Sequence, residues 1–312
     1  MMISFVIPCY NEENNVKPMY DLVVDRCREL KDKYEIIFVN DGSTDHTMDN
    51  LRAIVESTRE DVKVIDFSRN FGKESAIYAG LSKSKGDYVG LIDGDLQQDP
   101  KYVIEAVDFL KQNAYFDCVT YYQAHRKEGK FISFLKKRFY KTINKMTDID
   151  FVPDASDFRV LKRNMVDSII KMDEYFRFSK GLFAFVGFHS MNKPYEVKDR
   201  NSGSTKWGFR KLVKYAFDGI IAFTTVPLKL STYIGAISSI ISFIYILIVL
   251  IEKLFFGIPV PGYATIIILL LLLGGLQLFC LGILGEYLGR NYIETKKRPI
   301  FIAREELDSR EK

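Results

Sequence analysis

Tyr88-Val89-Gly90-Leu91-Ile92-Asp93-Gly94-Asp95 decides the reading of this 312-residue chain. A short apolar run with strand character ends in two carboxylates, and Leu96-Gln97-Gln98-Asp99-Pro100 then breaks the chain before a helical pattern begins. Two carboxylates at a strand's end offer oxygens to one hard divalent cation. Such an ion keeps several waters and is completed by substrate phosphates rather than by a full protein cage. An acidic surface turn has the same spacing, so the pair gains meaning only from its surroundings.

Outward from this stretch, β-rich runs alternate with helical patterns. Ile3–Ile7, Glu35–Val39, Val62–Phe67, Tyr88–Ile92 and Cys118–Tyr122 read as strands; Val16–Leu30, Thr47–Val55, Lys73–Ser82 and Tyr102–Leu110 read as amphipathic helices. This rhythm predicts an α/β fold with a doubly wound, mostly parallel sheet. Ligands of such sheets sit at the carboxyl ends of the strands. The unusual residues gather there: Pro8-Cys9-Tyr10-Asn11-Glu12, Asn40-Asp41-Gly42-Ser43, Ser68-Arg69-Asn70 and Asp93-Gly94-Asp95. Helix caps and turns account for part of each segment, and caps at strand ends also present N–H groups to phosphates. No G-x-G-x-x-G follows a strand and no G-x-x-x-x-G-K-[ST] occurs, so a dinucleotide cofactor is not expected.

Charge and apolarity divide the chain unevenly. Leu230 to Ile251 and Leu254 to Gly285 carry no charged residue, and each run exceeds the ~20 residues that span a bilayer core. Glu252-Lys253 and Pro259-Val260-Pro261 join them too closely for a domain, which predicts a transmembrane hairpin with both chain ends on one side. Lys206, Arg210, Lys211, Lys214 and Lys229 precede the pair, and Arg290, Lys296, Lys297 and Arg298 follow it. By the positive-inside rule those ends face the cytoplasm. Met1 to Pro8 lacks a basic start and runs into a strand pattern, so no secretory signal is expected.

Lys127–Lys145 is basic and interleaved with aromatic residues, the pattern of a helix at a membrane interface. A second such stretch runs from Trp207 to Val226. The net charge of +4 is modest and its basic residues gather near the apolar runs, which favours an anionic membrane surface over nucleic acid. Cys9, Cys27, Cys118 and Cys280 lack paired spacing and read as ordinary residues of a reducing compartment. The expected domains are a cytoplasmic catalytic domain (1–205), a juxtamembrane amphipathic segment (206–229), two transmembrane helices (230–289) and a cytoplasmic tail with no pattern of its own (290–312).

With these residues in view, the chain resembles family 2 glycosyltransferases of the GT-A fold, and more narrowly the polyprenyl-phosphate glycosyltransferases. The resemblance rests on Val6-Ile7-Pro8-Cys9-Tyr10-Asn11-Glu12, Val39-Asn40-Asp41-Gly42-Ser43-Thr44-Asp45, Ser68-Arg69-Asn70-Phe71-Gly72-Lys73 and Ile92 to Pro100. It continues through Ser156-Asp157-Phe158-Arg159, Arg200 to Trp207 and the hairpin ending in Gly285-Glu286-Tyr287-Leu288-Gly289-Arg290. It implies that Pro8, Tyr10, Glu12 and Asp41 hold the base and ribose of a UDP-sugar, with Lys73 and Gln97 near the donor. Asp93 and Asp95 would hold Mg2+ or Mn2+ against the diphosphate, and Asp157 would lie near the reacting centre. Arg126, Arg138, Arg200 and Lys206 are the candidates for gripping a polyprenyl phosphate acceptor. Many relatives have two acidic residues where this chain has Asn40-Asp41, so any ribose contact from position 40 is neutral here.

The implied product is one sugar on a lipid phosphate, made with inversion by an integral protein of the bacterial cytoplasmic membrane, and homo-oligomers occur among similar proteins. A processive polysaccharide synthase would carry a Gln-x-x-Arg-Trp segment and more spans; here Trp207 follows Thr205-Lys206. An inactive transferase-like membrane scaffold would tend to lose Asp41, Asp93 or Asp95, and all three are present. Asp95→Ala is expected to cut transfer by at least about 100-fold, the scale of lost metal assistance, while the protein stays folded and membrane-bound. Near-normal turnover in that variant would contradict the metal assignment.

Overall fold

Strands form where β-branched and aromatic residues run together, and in this chain most such runs are covered on both faces. The computed structural model describes residues 1–123, 138, 144, 155–196, 221–256 and 262–311. Contacts divide the chain into two units, residues 1–213 with 299–312, and residues 214–298.

The first unit carries an eight-stranded sheet: β1 (Met2–Cys9), β2 (Lys33–Asn40), β3 (Val62–Phe67), β4 (Tyr88–Leu91), β5 (Cys118–Gln123), β6 (Ala155–Lys162), β7 (Ser190–Tyr195) and β8 (Ala303–Asp308). Their order is β7-β5-β6-β4-β1-β2-β3-β8. The central β4-β1-β2-β3 block is parallel, β6 and β8 pair antiparallel at its two sides, and β5 pairs parallel with β7. Helices α1 (Val16–Cys27), α2 (Thr47–Ser57), α3 (Lys73–Lys83), α4 (Lys101–Gln112), α5 (Arg163–Ile170) and α6 (Ser179–Phe185) complete the unit.

Successive strand residues point to opposite faces, and the core follows that alternation. Ile3, Phe5, Ile7, Ile36 and Phe38 meet Met19 and Val23 of α1, Leu51 of α2 and Val103 and Val107 of α4. Val6, Ile37, Val39, Ile65 and Phe67 meet Ala76 and Ala79 of α3 and Met165 and Val166 of α5. Ile36, Ile37, Phe38 and Val39 are all fully buried, as a strand covered on both faces requires. Each such side chain contributes about 1.5–3 kcal/mol of burial.

The doubly wound sheet matches the sequence expectation in β1 to β5 and α1 to α4, with helix ends shifted by a few residues. The stretch after Arg290 does not. It was expected to lack a pattern, yet the helix continues to Thr295 and β8 then pairs antiparallel with β3. The pairing is charged: Glu306 binds Lys83 at 2.8 Å, Arg310 binds Asp61 at 2.9 Å and Arg52 binds Glu305. Arg304-Glu305-Glu306 hides the strand from any hydrophobic count, and charge on an edge strand also discourages pairing with another chain. Phe301 adds the apolar contact, stacking on Phe67 at 4.9 Å.

The second unit contains α7 (Val226–Phe256) and α8 (Tyr263–Thr295). Val226–Val249 and Ile268–Thr295, 24 and 28 residues, are long and apolar enough to cross a bilayer. Ile240, Ile244, Leu270 and Leu278 are exposed. The Tyr287 hydroxyl donates to the Thr224 carbonyl at 2.7 Å. The two basic amphipathic stretches lie outside the described residues, apart from Arg138 and Asn144, both helical, and the segment from 221 onward.

One backbone position is unusually demanding. Gly42 has φ +63°, and a Cβ there would lie 2.3 Å from the carbonyl carbon of Arg69. Gly42→Ala combines left-handed backbone cost with a clash against main chain, about 2 kcal/mol or more together. The thermal midpoint is expected to fall by roughly 4–8 °C, measured by nano-calorimetry in detergent; an unchanged midpoint would show that the two loops can separate freely.

Candidate active site

The site grows from the carboxyl ends of β1, β2, β3 and β4, where the parallel strands release their chains on one edge. The first two loops are laced together by short polar side chains. Asn11 Oδ1 accepts from the Thr44 N–H at 2.9 Å, the Asn11 N–H donates to Ser43 Oγ at 2.9 Å, and the Glu12 N–H donates to Thr47 Oγ1 at 2.8 Å. The Glu12 carbonyl accepts from the N–H groups of Asn15 and Val16 at the start of α1. Asn11 adopts φ +54°, which lets its side chain bridge the gap. Pro8 is half-buried on β1, and Tyr10 is 42% exposed between these loops.

Asp41 is buried and turned toward the third loop. Its carboxylate accepts from the N–H groups of Phe71 at 2.7 Å and Gly72 at 3.0 Å, and its carbonyl accepts from Asn70 Nδ2 at 3.1 Å. Burial raises the Asp41 carboxyl despite these hydrogen bonds. Asn40 is equally committed: Nδ2 donates to Asp66 at 2.7 Å and Oδ1 accepts from the Ser43 N–H at 3.3 Å. Its amide therefore serves the loop framework within this edge.

Lys73, the first residue of α3, joins the fourth loop to β6. Its ammonium lies 2.6 Å from Asp93 and 2.8 Å from Asp157. Burial would raise the Asp157 carboxyl, but Lys73, Lys180 and Arg159 overcome it and hold the group below the ordinary carboxylate range. The same pairing raises the Lys73 ammonium against its own burial. Asp157 Oδ1 has no hydrogen-bond partner among the described residues. Glu74, next along α3, accepts from the N–H and hydroxyl of Ser179, and burial together with the Asp157 charge raises its carboxyl.

Asp93 is held from its other side by Gln98, a residue the sequence did not single out. Gln98 is buried; its Oε1 accepts from the Asp93 N–H at 2.9 Å and its Nε2 donates to Asp93 Oδ2 at 3.1 Å. Gln97 contributes its backbone, donating to Asp95 Oδ1 at 3.2 Å. Leu96 between them has φ +62°, a conformation rare for a branched side chain and found where a turn is held for a purpose. Tyr195 of β7 was also not foreseen. Burial and the charges of Asp93 and Asp95 raise its hydroxyl, and its ring packs edge-on to Phe158 at 5.3 Å. Arg138 is helical and exposed, while Arg126, Arg200 and Lys206 lie outside the described residues.

The structure therefore brings Lys73, Asp93 and Asp157 into contact, with Asp95 two residues further along the loop and Asp41 bracing the neighbouring one. This lysine-bridged pair of aspartates at the carboxyl edge is joined by a sequence match: residues 4–170 fit the family model described as glycosyl transferase family 2. The chain belongs to that family. Residues 226–290 of this family 2 glycosyltransferase match the model described as the GtrB C-terminal hairpin. It is 39% identical over 310 residues to the bactoprenol glucosyl transferase of Shigella phage SfV, covering 98% of this chain and 99% of that one. It is 41% identical over 301 residues to the uncharacterized glycosyltransferase sll0501 of Synechocystis, covering 96% and 94%. Among solved structures, glucosyl-3-phosphoglycerate synthase of Mycobacterium tuberculosis, crystallised with Mn2+, UDP and glucosyl-3-phosphoglycerate, overlaps 70% of this transferase and 77% of its own chain, at 22% identity and a TM-score of 0.48.

The Lys73 bridge makes a prediction about stability and pH. Its side chain is 44% exposed, so Lys73→Met is expected to cost about 1–2 kcal/mol at pH 7.5, less than a fully buried pair would. The depressed Asp157 carboxyl contributes stability above its unfolded value near 3.8, lost as pH falls through the lower folded value. Without Lys73 the carboxyl loses its strongest positive partner, and protonation then relieves the variant. The gap between variant and native chain should narrow as pH falls below about 3.8 in denaturant melts; a gap independent of pH would contradict the pairing.

Proposed function

We propose that this glycosyltransferase moves one sugar, glucose or N-acetylglucosamine being favoured, from a UDP-sugar to a polyprenyl phosphate at the cytoplasmic membrane face. The observation that carries the reading is the contact of Lys73 with both Asp93 and Asp157 on the edge that also bears Asp95. Two anionic substrates must meet there, and the edge combines oriented carboxylates with a fixed ammonium. The full-length likeness to a bactoprenol glucosyl transferase supports a lipid phosphate as acceptor.

Asp93 and Asp95 suit a hard cation such as Mg2+ or Mn2+. Both offer oxygen, Gln98 and the Gln97 N–H hold them in orientation, and no cluster of three acidic, histidine or cysteine side chains occurs among the described residues to form a closed cage. Bound there, the ion supplies positive charge for the departing diphosphate. Pro8, Tyr10, Glu12, Asp41 and Gln97 frame the donor side of this reading, and Arg126, Arg138, Arg200 and Lys206 its acceptor phosphate.

An oxygen of the acceptor phosphate forms the new bond to the anomeric carbon while the bond from that carbon to the UDP oxygen breaks. UDP leaves with the electron pair, and attack from the opposite face inverts the configuration. The attacking phosphate is already anionic near neutral pH, so no strong base is required. An Asp157 carboxyl held ionised by Lys73 suits orientation of the reacting groups better than proton removal.

The pairing of β8 with β3 supports the expected topology. Strands before and after the hairpin share one sheet, so the chain returns to the compartment it left, and the flanking lysines and arginines favour the cytoplasm.

Purified protein, undecaprenyl phosphate and Mg2+ or Mn2+ are to be incubated with a panel of UDP-sugars, with lipid products weighed by mass spectrometry. One sugar on the lipid phosphate, abolished by EDTA, is the expected result. Release of UDP without lipid product would overturn the acceptor, and absence of both would overturn the reading.

A further inference from the structure

The end of the chain touches the donor edge at a place where the β3–β8 register skips. Asp66 pairs with Glu305 and Phe67 with Ala303, which leaves Arg304 as an extra residue in β8. A bulge of this kind re-aims a side chain. Arg304 Nη2 donates to the Ser68 carbonyl at 2.9 Å, and Nη1 lies 3.7 Å from Asp66 Oδ2. The Ser68 N–H donates to the Ile302 carbonyl at 2.9 Å. Both main-chain polar groups of Ser68 are therefore held by the returning tail.

From this anchor two lines of contact reach the loops assigned to the donor. Ser68 opens the connection whose Phe71 and Gly72 N–H groups are held by Asp41. Asp66 accepts from Asn40 at 2.7 Å, Asn40 accepts from the Ser43 N–H and hydroxyl, and Ser43 Oγ accepts from the Asn11 N–H at 2.9 Å. That second line ends between Tyr10 and Glu12. Aromatic packing runs alongside: Phe301 on Phe67, Phe67 against Phe71 at 5.7 Å, and Arg69 over the Phe71 ring at 4.1 Å.

We propose that Arg304 is a positioning residue for the donor: the bulged end of β8 sets the loops after β1, β2 and β3 in the arrangement that receives the nucleotide. A strand that merely covered the β3 edge would need no bulge and no arginine turned onto a loop carbonyl. Arg304 is itself 63% exposed, so it contributes little to the core and its replacement leaves the sheet intact. The inference rests on the UDP-sugar reading above.

The test is calorimetric titration of the full-length protein in detergent with UDP in the presence of Mn2+, for the native chain, Arg304→Gln and Arg304→Lys, beside thermal midpoints and donor kinetics. Arg304→Gln should bind UDP about three- to ten-fold more weakly, the range of one half-exposed charged hydrogen bond. The donor KM should rise in parallel, with kcat and thermal midpoint unchanged. Arg304→Lys, which keeps the charge without the fork, should fall between the two. Native affinity in Arg304→Gln would overturn the inference and leave the donor reading intact, as would a joint fall of kcat and midpoint that marks general damage. Failure of the native chain to bind UDP would overturn the donor reading and the inference together.

Discussion

Lys73 carries the charge on which the carboxyl edge of the sheet depends. Asp93 leaves β4 and Asp157 sits on β6, the antiparallel neighbour, so the topology forces two carboxylates toward each other. Like charges at such separations disfavour ionisation of one partner. An ammonium between them removes that penalty and fixes both orientations, and its place at the start of α3 is set by the Gly72 turn, φ +95°. The same interaction ties a helix, a loop and a flanking strand into one rigid corner. Gln98 then needs only to complete the far side of Asp93.

Much of this is legible in the sequence alone. The runs around Phe5, Phe38 and Val64 alternate with amphipathic helices in the rhythm common to doubly wound sheets, and the apolar hairpin declares itself by composition. The returning strand did not. Arg304, Glu305 and Glu306 satisfy their charges against Asp66, Arg52 and Lys83, partners more than two hundred positions away, and no local pattern carries that information. β6 and β7 were missed for a milder reason: Ala155–Lys162 and Ser190–Tyr195 mix polar and apolar residues in too few positions to stand out.

Within the site, the aspartates and Lys73 were visible through their motifs, whereas the choice between Gln97 and Gln98 was not. It turns on Leu96. With that residue left-handed, the chain reverses so that the side chain of Gln98, not that of Gln97, folds back onto Asp93. Position 40 gives the converse lesson. Asn40 looked like a neutralised ribose contact, yet its amide is spent between Asp66 and Ser43.

The charged edge strand also bears on how the protein is made. Val62 and Ser309, joined by a hydrogen bond, lie 247 residues apart. At 5–20 residues per second, a ribosome needs roughly 12–50 s to travel that distance. During all of it β3 is an open edge, able to pair with any strand nearby. The hairpin is synthesised inside that interval, so the sheet is finished only after the apolar helices have emerged. For a time the nascent chain exposes two hazards together, a bare strand edge and an apolar hairpin.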